Sequence, residues 1–261
     1  MSDLRAAERS PLFAELERTS SEWRTQNAAA LAPYSAKWVV DPLHQWSRRW
    51  EYPFVGRALK GSGARTILDA GAGFTFFPYF AAANPGVESV ICVDSDDLAE
   101  LYTNVVSDKA ESVEFRRGDL RELPVADAEV NAAYCISVLE HTQNYDDVVR
   151  ELRRVLAPGG LLAITFDISL DGLAEIPVSK AERLVALLSD AFDPVSAPVE
   201  VDSEADGLLT TAASASLGRE RLPWRHPFLS LAKAALRRGR LPTAHMKNLA
   251  CYGAVFQRSA Q

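Results

Sequence analysis

The sequence predicts an α/β fold: one seven-stranded, mostly parallel sheet with helices on both faces, a helical cap before it and an insertion before the last strand. Three observations predict it. A short β-branched run ends in Asp69-Ala70-Gly71-Ala72-Gly73, the acidic residues Asp94 and Asp119 follow at near-equal spacing, and strand-like and helix-like stretches alternate from residue 61 to residue 202. A chain of 261 residues is long enough for one such core with additions and does not require two domains. At 48% hydrophobic and 24% charged, the composition is that of a soluble globular protein.

Residues 1–60 precede the core. Ser10-Pro11 marks a helix start with Pro in the first turn, and Leu12, Leu16 and Trp23 then share one face. Asp41-Pro42 signals a second start, leading into the segment 44–53. Four of the five tryptophans, Trp23, Trp38, Trp46 and Trp50, fall in this part. They read either as a cap over a ligand pocket or as rings that fasten an added helical layer to the core.

The core begins with a strand over 65–68, a tight turn at Gly71 and Gly73, and a helix over 74–83. Without a Cβ, glycine takes positive φ and lets a ligand approach the main chain, while Asp69 at the strand end can fix the loop through its amide hydrogens. A second strand over 89–93 delivers Asp94, where a carboxylate can accept both hydroxyls of a ribose. A dinucleotide site would need a third glycine three residues after the second, and Phe76 stands there instead. A bulky Phe in that turn suits a ligand without a pyrophosphate. Asp119, in the stretch 115–120, offers a third acid for an adenine amino group, or else caps the turn that follows. Three acids beside one glycine turn favour S-adenosylmethionine.

From residue 65 to residue 169 the chain resembles the class I S-adenosylmethionine-dependent methyltransferases, especially those acting on small molecules and glycans. Asp69-Ala70-Gly71-Ala72-Gly73 is similar to the family's first motif, and Val90-Ile91-Cys92-Val93-Asp94 to its second. Asp119-Leu120 stands where the family contacts adenine, and the run 131–141 looks like its fourth strand with the active-site end. A helix over 145–156, the turn Ala157-Pro158-Gly159-Gly160 and a strand over 161–166 complete the likeness. The resemblance implies S-adenosylmethionine as cofactor, held by Asp69, Gly71, Ala72, Gly73, Asp94, Asp119, Leu120 and Ile136. Ligands in this fold sit beyond the carboxyl ends of the strands, so acceptor chemistry falls to Phe74, the run 137–142 and Asp167.

Among these, His141 is the candidate general base, because its ordinary pKa lies close to working pH. Glu140 beside it is a candidate to orient the imidazole or bind the acceptor, and Asp167 is a second acidic candidate. Leu139-Glu140-His141 also reads as a plain strand-to-helix junction of the family.

After the fifth strand, residues 179–192 read as a helix striped by Leu184, Leu187 and Leu188 and ended near Pro194. A sixth strand is expected over 195–201 and a seventh over 249–257, which the family pairs antiparallel with its neighbours. The segment 203–248 is too long for a hairpin and reads as a substrate-side insertion. Its residues Arg219, Arg221, Arg225, Lys233, Arg237, Arg238, Arg240 and Lys247 form either a solvated helix face or an anion-binding patch.

A net charge of −7 argues against a general nucleic-acid surface. No run approaches a membrane span and no secretory leader is visible, so a cytoplasmic protein is expected, with no membrane partner; a homo-oligomer stays open. Cys92, Cys135 and Cys251 lie in apolar runs and read as buried thiols rather than disulfides or metal ligands. His44, His226 and His245 have no partner at metal-ligand spacing, and a need for a divalent ion is left open.

Absent motifs narrow the acceptor. After the fourth strand there is no acid or amide followed by Pro-Pro and an aromatic, as base-amino methylation would need. Cys135 does not follow a proline, and Ser137 stands where a metal-dependent catechol enzyme would place an acid. A small-molecule or glycan acceptor remains, and the tryptophans suit sugar rings. The expected reaction is O-methylation of a hydroxyl on a sugar or polysaccharide precursor. Alternatives are N- or carboxyl-methylation of a secondary metabolite, a non-catalytic adenosyl-binding protein, and a nicotinamide-dependent oxidoreductase, against which Phe76 and Asp119 count.

Overall fold

The computed structural model describes residues 4–35, 42–172, 176–195, 208–217 and 248–260. Trp38, Asp41, the expected strand beyond residue 195, and most of the insertion with its basic run, His226 and His245 lie outside the described residues.

Helices α1 (Leu4–Glu8), α2 (Pro11–Gln26), α3 (Ala28–Tyr34) and α4 (Arg48–Ser62) come before the first strand. The α2 start is as expected: the Ser10 side chain accepts the Phe13 amide at 3.1 Å and Pro11 occupies the first turn. Its buried stripe is Phe13, Leu16, Ser20 and Trp23, while Leu12 packs only partly. Helix α4 carries Pro53 in its interior and ends at Gly63 in the left-handed region, φ 63°.

The strands and helices of the core alternate as β1 (Thr66–Ala70), α5 (Phe77–Ala82), β2 (Ser89–Asp94), α6 (Ala99–Thr103), β3 (Val113–Arg117), β4 (Val130–Ile136), α7 (Tyr145–Val155) and β5 (Leu156–Ser169). There follow β6 (Ile176–Pro177), α8 (Val178–Ala191), β7 (Asp193–Pro194), β8 (Leu209–Thr210), α9 (Thr211–Ser216) and β9 (Leu249–Gln257). The sheet order is β3-β2-β1-β4-β5-β9-β7. The first five strands of that order pair in parallel, and β9 runs antiparallel between β5 and β7, with Leu161 opposite Gln257 and Ser169 opposite Leu249.

The main path holds seven strands, and among the described residues the two-residue strands β6 on β5 and β8 on β9 bring the sheet to nine rather than the expected seven. Pairing of the sixth position starts earlier than expected, with Asp193 opposite Gln257, and Val195 then donates to the Val255 carbonyl at 2.9 Å. The predicted turn at 157–160 is absorbed into β5. Its backbone stays beside the ladder because the Gln257 side chain and the Arg258 carbonyl both bond Gly159, whose φ of 77° only glycine takes readily.

Two apolar clusters sandwich the sheet. One joins α7 and α8 to one face through residues such as Leu152, Leu156, Leu184 and Leu188, and the other joins α2, α4 and α5 to the opposite face. The N-terminal helices are thus part of the second layer. Trp23 packs against Phe74 and Tyr79 at ring distances of 5.1 and 5.8 Å, and Trp46 is buried with Leu4, Leu209 and Cys251. Trp50 stacks on Phe54, and a Cβ on Gly253 would lie 2.5 Å from its ring, so that glycine is what lets α4 lie against β9. All three cysteines are free and buried, as expected.

Candidate active site

The carboxyl ends of β1, β2 and β4 open onto two adjoining cavities of about 400 and 350 Å³, which share Gly71, Asp94, Ser95, Val138 and His141. The glycine turn between them is fastened by its neighbours. The amides of Gly71 and Ala72 both donate to the Val93 carbonyl, at 2.8 and 3.0 Å, and the Gly73 amide donates to Asp94 Oδ2 at 2.8 Å. The Tyr102 hydroxyl donates to the Gly73 carbonyl at 2.8 Å, and the Phe74 amide donates to the Tyr34 hydroxyl at 3.1 Å. These last contacts hold residues 74–76 out of the helix, so α5 begins at Phe77 rather than at the expected residue 74. Gly71 has φ 82°, and a Cβ there would lie 2.5 Å from Val138, so both its backbone and its packing require glycine.

Asp69 does not fix the loop, contrary to the sequence expectation. Parallel pairing sets it opposite Tyr134, whose hydroxyl donates to Asp69 Oδ2 at 2.7 Å, and it is the end of β2 that reaches the loop amides. Burial pushes the Asp69 pKa up to about 8, opposed by the Tyr134 hydrogen bond. Asp94 lines both cavities; besides the Gly73 amide it accepts the Asp96 amide at 2.9 Å. Asp119 and Leu120 line the second cavity and Ile136 the first. The Asp119 carboxylate takes the Arg121 amide at 2.8 Å and its guanidinium at 2.8 and 2.5 Å, and Arg121 holds its pKa down at about 2. The turn-capping role foreseen for Asp119 is therefore present, and an adenine amino group would share this carboxylate with Arg121.

Beyond β4 and β5 the character changes. Glu51, on α4, is fully buried and accepts hydrogen bonds from Ser137 Oγ at 2.8 Å and Thr165 Oγ1 at 2.6 Å. Arg48 Nη1 bonds both Glu51 and Ser137. Despite its burial, Glu51 is held below the usual carboxylate range by Arg48 and the two hydroxyls. Ser137 itself sits at φ 49°, an uncommon conformation for a residue with a side chain, and its amide donates to the Thr165 carbonyl at 2.9 Å.

Leu139–His141 form a single 3-10 turn after β4. Its neighbouring side chains part: Glu140 is 8% exposed and turned inward, while His141 is exposed at the rim common to both cavities. This places Glu140 among Asp167, Arg48 and Glu51 rather than as the orienting partner of the imidazole. Burial, and then the Asp167 charge, raise the Glu140 pKa well above the ordinary carboxylate value. Asp167, half-buried on β5, is one of the charges that act on Arg48. Phe74 is buried in the second-layer cluster and lines neither cavity.

Sequence reasoning missed Arg48, Glu51, Thr165 and Tyr34. The only signal was the i, i+3 pair Arg48 and Glu51 in an aromatic helix; their partners are 86, 89 and 114 residues away. The described tryptophans line neither cavity, so the reading of a helical layer fastened to the core holds for Trp23, Trp46 and Trp50. Among the described residues no group of His, Cys, Asp and Glu is arranged to hold a metal ion, and no helix is long and apolar enough to cross a membrane.

A methyltransferase-domain family model matches residues 68–164. A probable S-adenosylmethionine-dependent methyltransferase of Mycobacterium tuberculosis is 30% identical over 161 residues, covering 58% of this chain and 57% of the relative. Residues 68–164 are a methyltransferase domain similar to the class I S-adenosylmethionine-dependent enzymes. An O-methyltransferase of Aspergillus sclerotiorum is 33% identical over 131 residues, covering 49% of this chain and 48% of the relative. The chain thus spans about half the length of these curated relatives. A geranyl diphosphate methyltransferase solved with S-adenosylmethionine shares the fold at TM-score 0.58 and 16% identity, covering 89% of this chain and 95% of that one.

The cofactor of this methyltransferase domain is S-adenosylmethionine, and the site fits it. Phe76 is 1% exposed and packs edge-on to Tyr52 at 5.4 Å, filling the place where a dinucleotide site needs glycine. A cradle with a glycine at its closest approach, an acid ending β2 and a second cavity behind it matches an adenosyl ligand without pyrophosphate.

Proposed function

We propose that the protein is a methyltransferase that moves a methyl group from S-adenosylmethionine to a hydroxyl of a small molecule. The observation that carries this reading is His141, exposed at the rim where the two cavities meet. The donor supplies a methyl group on a sulfonium, ready for in-line displacement. Asp94 would take the ribose hydroxyls, the turn at Gly71, Ala72 and Gly73 would lie against the donor, and Asp119, Leu120 and Ile136 would border the adenosyl part. Asp69 would border it from beneath. The neutral His141 imidazole would accept the hydroxyl proton as the oxygen attacks, which leaves no covalent enzyme intermediate to form. Glu140 and Asp167 would hold the inner side of the acceptor site.

The relationship to an O-methyltransferase supports a hydroxyl acceptor. A sugar or polysaccharide precursor drew its support from tryptophans as stacking platforms, and the described indoles pack inside the helical layer instead. The acidic side chains Glu140 and Asp167, close enough for the Asp167 charge to raise the Glu140 pKa, favour a second reading, N-methylation of an amine.

The test is turnover of methyl-labelled S-adenosylmethionine with a panel of alcohols, phenols, sugars and amines, alongside calorimetric titration with S-adenosylhomocysteine and NAD. Binding of S-adenosylhomocysteine without NAD, and label transfer to oxygen, are the expected results. Label on nitrogen would select the second reading, and NAD binding alone would overturn both.

A further inference from the structure

We propose that the outer edge of the Arg48 guanidinium, its Nε and Nη2, is a carboxylate-binding subsite of the larger cavity; the proposal rests on the adenosyl reading of that cavity. Arg48 opens α4 and lines the cavity of about 400 Å³ together with Gln45, Tyr52 and Ser137. Among the described residues only its Nη1 is engaged, with Glu51, Ser137 and, at 3.5 Å, Ser47. Nε and Nη2 have no hydrogen-bond partner among the described residues.

The chemistry of that edge is visible elsewhere in the same molecule. Arg116 grips Glu114 through Nε and Nη2 at 2.8 and 3.0 Å, Arg154 grips Glu151 at 2.9 and 2.7 Å, and Arg121 grips Asp119 at 2.8 and 2.5 Å. Two parallel N–H groups match the two coplanar oxygens of a carboxylate. In Arg48 this fork is left over for something in the cavity.

The surroundings keep it there. The side chain is 17% exposed, and Glu51 compensates its charge from below. Glu51 is itself fixed by Ser137 and Thr165, so Arg48 is anchored at one nitrogen and cannot swing away without breaking a buried network. The same surroundings limit the ligand. Glu51 and Asp167 both act on this guanidinium, so a planar monoanion fits where a phosphate dianion would meet too much like charge. Either the methionine end of the donor or an acid group on the acceptor could supply the carboxylate.

The experiment compares wild type with Arg48→Met and Arg48→Lys by calorimetry. The probes are S-adenosylhomocysteine and 5′-methylthioadenosine, the same thionucleoside without the amino-acid end. The protein saturated with S-adenosylhomocysteine is then titrated with 4-hydroxybenzoate and its methyl ester. If the donor supplies the carboxylate, Arg48→Met weakens S-adenosylhomocysteine at least tenfold and leaves 5′-methylthioadenosine within twofold. If the acceptor supplies it, both nucleosides stay within twofold, wild type prefers the acid to the ester at least tenfold, and Arg48→Met erases that preference.

Arg48→Lys keeps the charge without the fork and should lose most of the same preference, which covers the case of a methionine variant that does not fold. The proposal is overturned if neither preference changes in the variants, if wild type shows no preference for the acid while S-adenosylhomocysteine is unaffected, or if both nucleosides weaken together. Failure of the adenosyl reading itself looks different: wild type would then bind neither nucleoside.

Discussion

The two halves of the site are built in opposite ways. At the ends of β1, β2 and β3 most polar contacts join residues close in sequence or on adjacent strands: Asp119 to Arg121 two residues on, Asp94 to Asp96, and Asp94 to Gly73 across 21 positions. Tyr34 reaches in from a helix, across 40 positions, to the Phe74 amide. At the ends of β4 and β5 a helix from outside the core brings Arg48 and Glu51 against Ser137 and Thr165, across 86 to 114 positions. The first half is mostly backbone geometry, with the half-buried acids Asp94 and Asp119 at its rim. The second is a buried ionic network. A half made of turns tolerates the loss of one side chain, whereas a half made of mutually compensating charges does not.

The sharpest way to break this comparison is Glu51→Ala. It leaves the largely buried Arg48 guanidinium without its counter-charge, and should cost about 3–5 kcal/mol of stability in urea unfolding. A loss below about 1 kcal/mol would mean that the network is no firmer than the turns opposite. His141→Ala should act on chemistry alone, lowering turnover by roughly 10²-fold or more with S-adenosylhomocysteine affinity nearly intact. Unchanged turnover would remove it as the base. On the adenosyl side, Asp94→Ala should weaken S-adenosylhomocysteine binding by about 1.5–3 kcal/mol, the scale of a hydrogen bond to a charged group. Full affinity would show that the loop contacts of Asp94, not ribose, are its main use.

Asp69 gives the comparison a pH axis. The folded protein keeps this acid protonated up to about pH 8, while the unfolded chain ionises it near its ordinary value of 3.8. Unfolding therefore releases a proton between those limits, so this group's contribution to stability falls as pH rises from about 4 to about 8 and then levels off. Thermal unfolding across that window should show a smaller decline in Asp69→Asn than in wild type; identical slopes would place the titration elsewhere. The smallest effect belongs to Asp119→Ala. Its ion pair with Arg121 is about half exposed, so stability near pH 7 should barely move. A large loss would mean that the turn after β3 is not as independent as its local bonds suggest.

Much of the adenosyl half could be read from sequence because each of its features is local. A glycine that must take φ 82°, an acid at the end of a β-branched run, and a bulky residue in place of a third glycine need no knowledge of what lies across the sheet. The same locality explains the accurate β9, whose alternation gives Leu249–Gln257 directly. Asp69 shows the limit. Its position at the end of β1 was legible, but whether it faced the loop amides or Tyr134 depended on the register of β1 against β4. Glu140 and His141 show it again: adjacent in sequence, they turn to opposite sides of one 3-10 turn.

By itself the sequence determined the order of the alternating elements, the glycine turn, the acids that follow β2 and β3, and the absence of a dinucleotide fingerprint. These follow from backbone sterics and side-chain periodicity within a few residues. Only the tertiary structure decided that Trp23, Trp46 and Trp50 fasten the helical layer, that Asp69 is buried against Tyr134, and that Arg48 and Glu51 stand behind Ser137 at the acceptor side. The physical reason is that a buried charge needs a partner, and folding alone brings the partners within reach: each residue of that network reads as an ordinary surface type until the residues 86 to 114 positions away are packed against it.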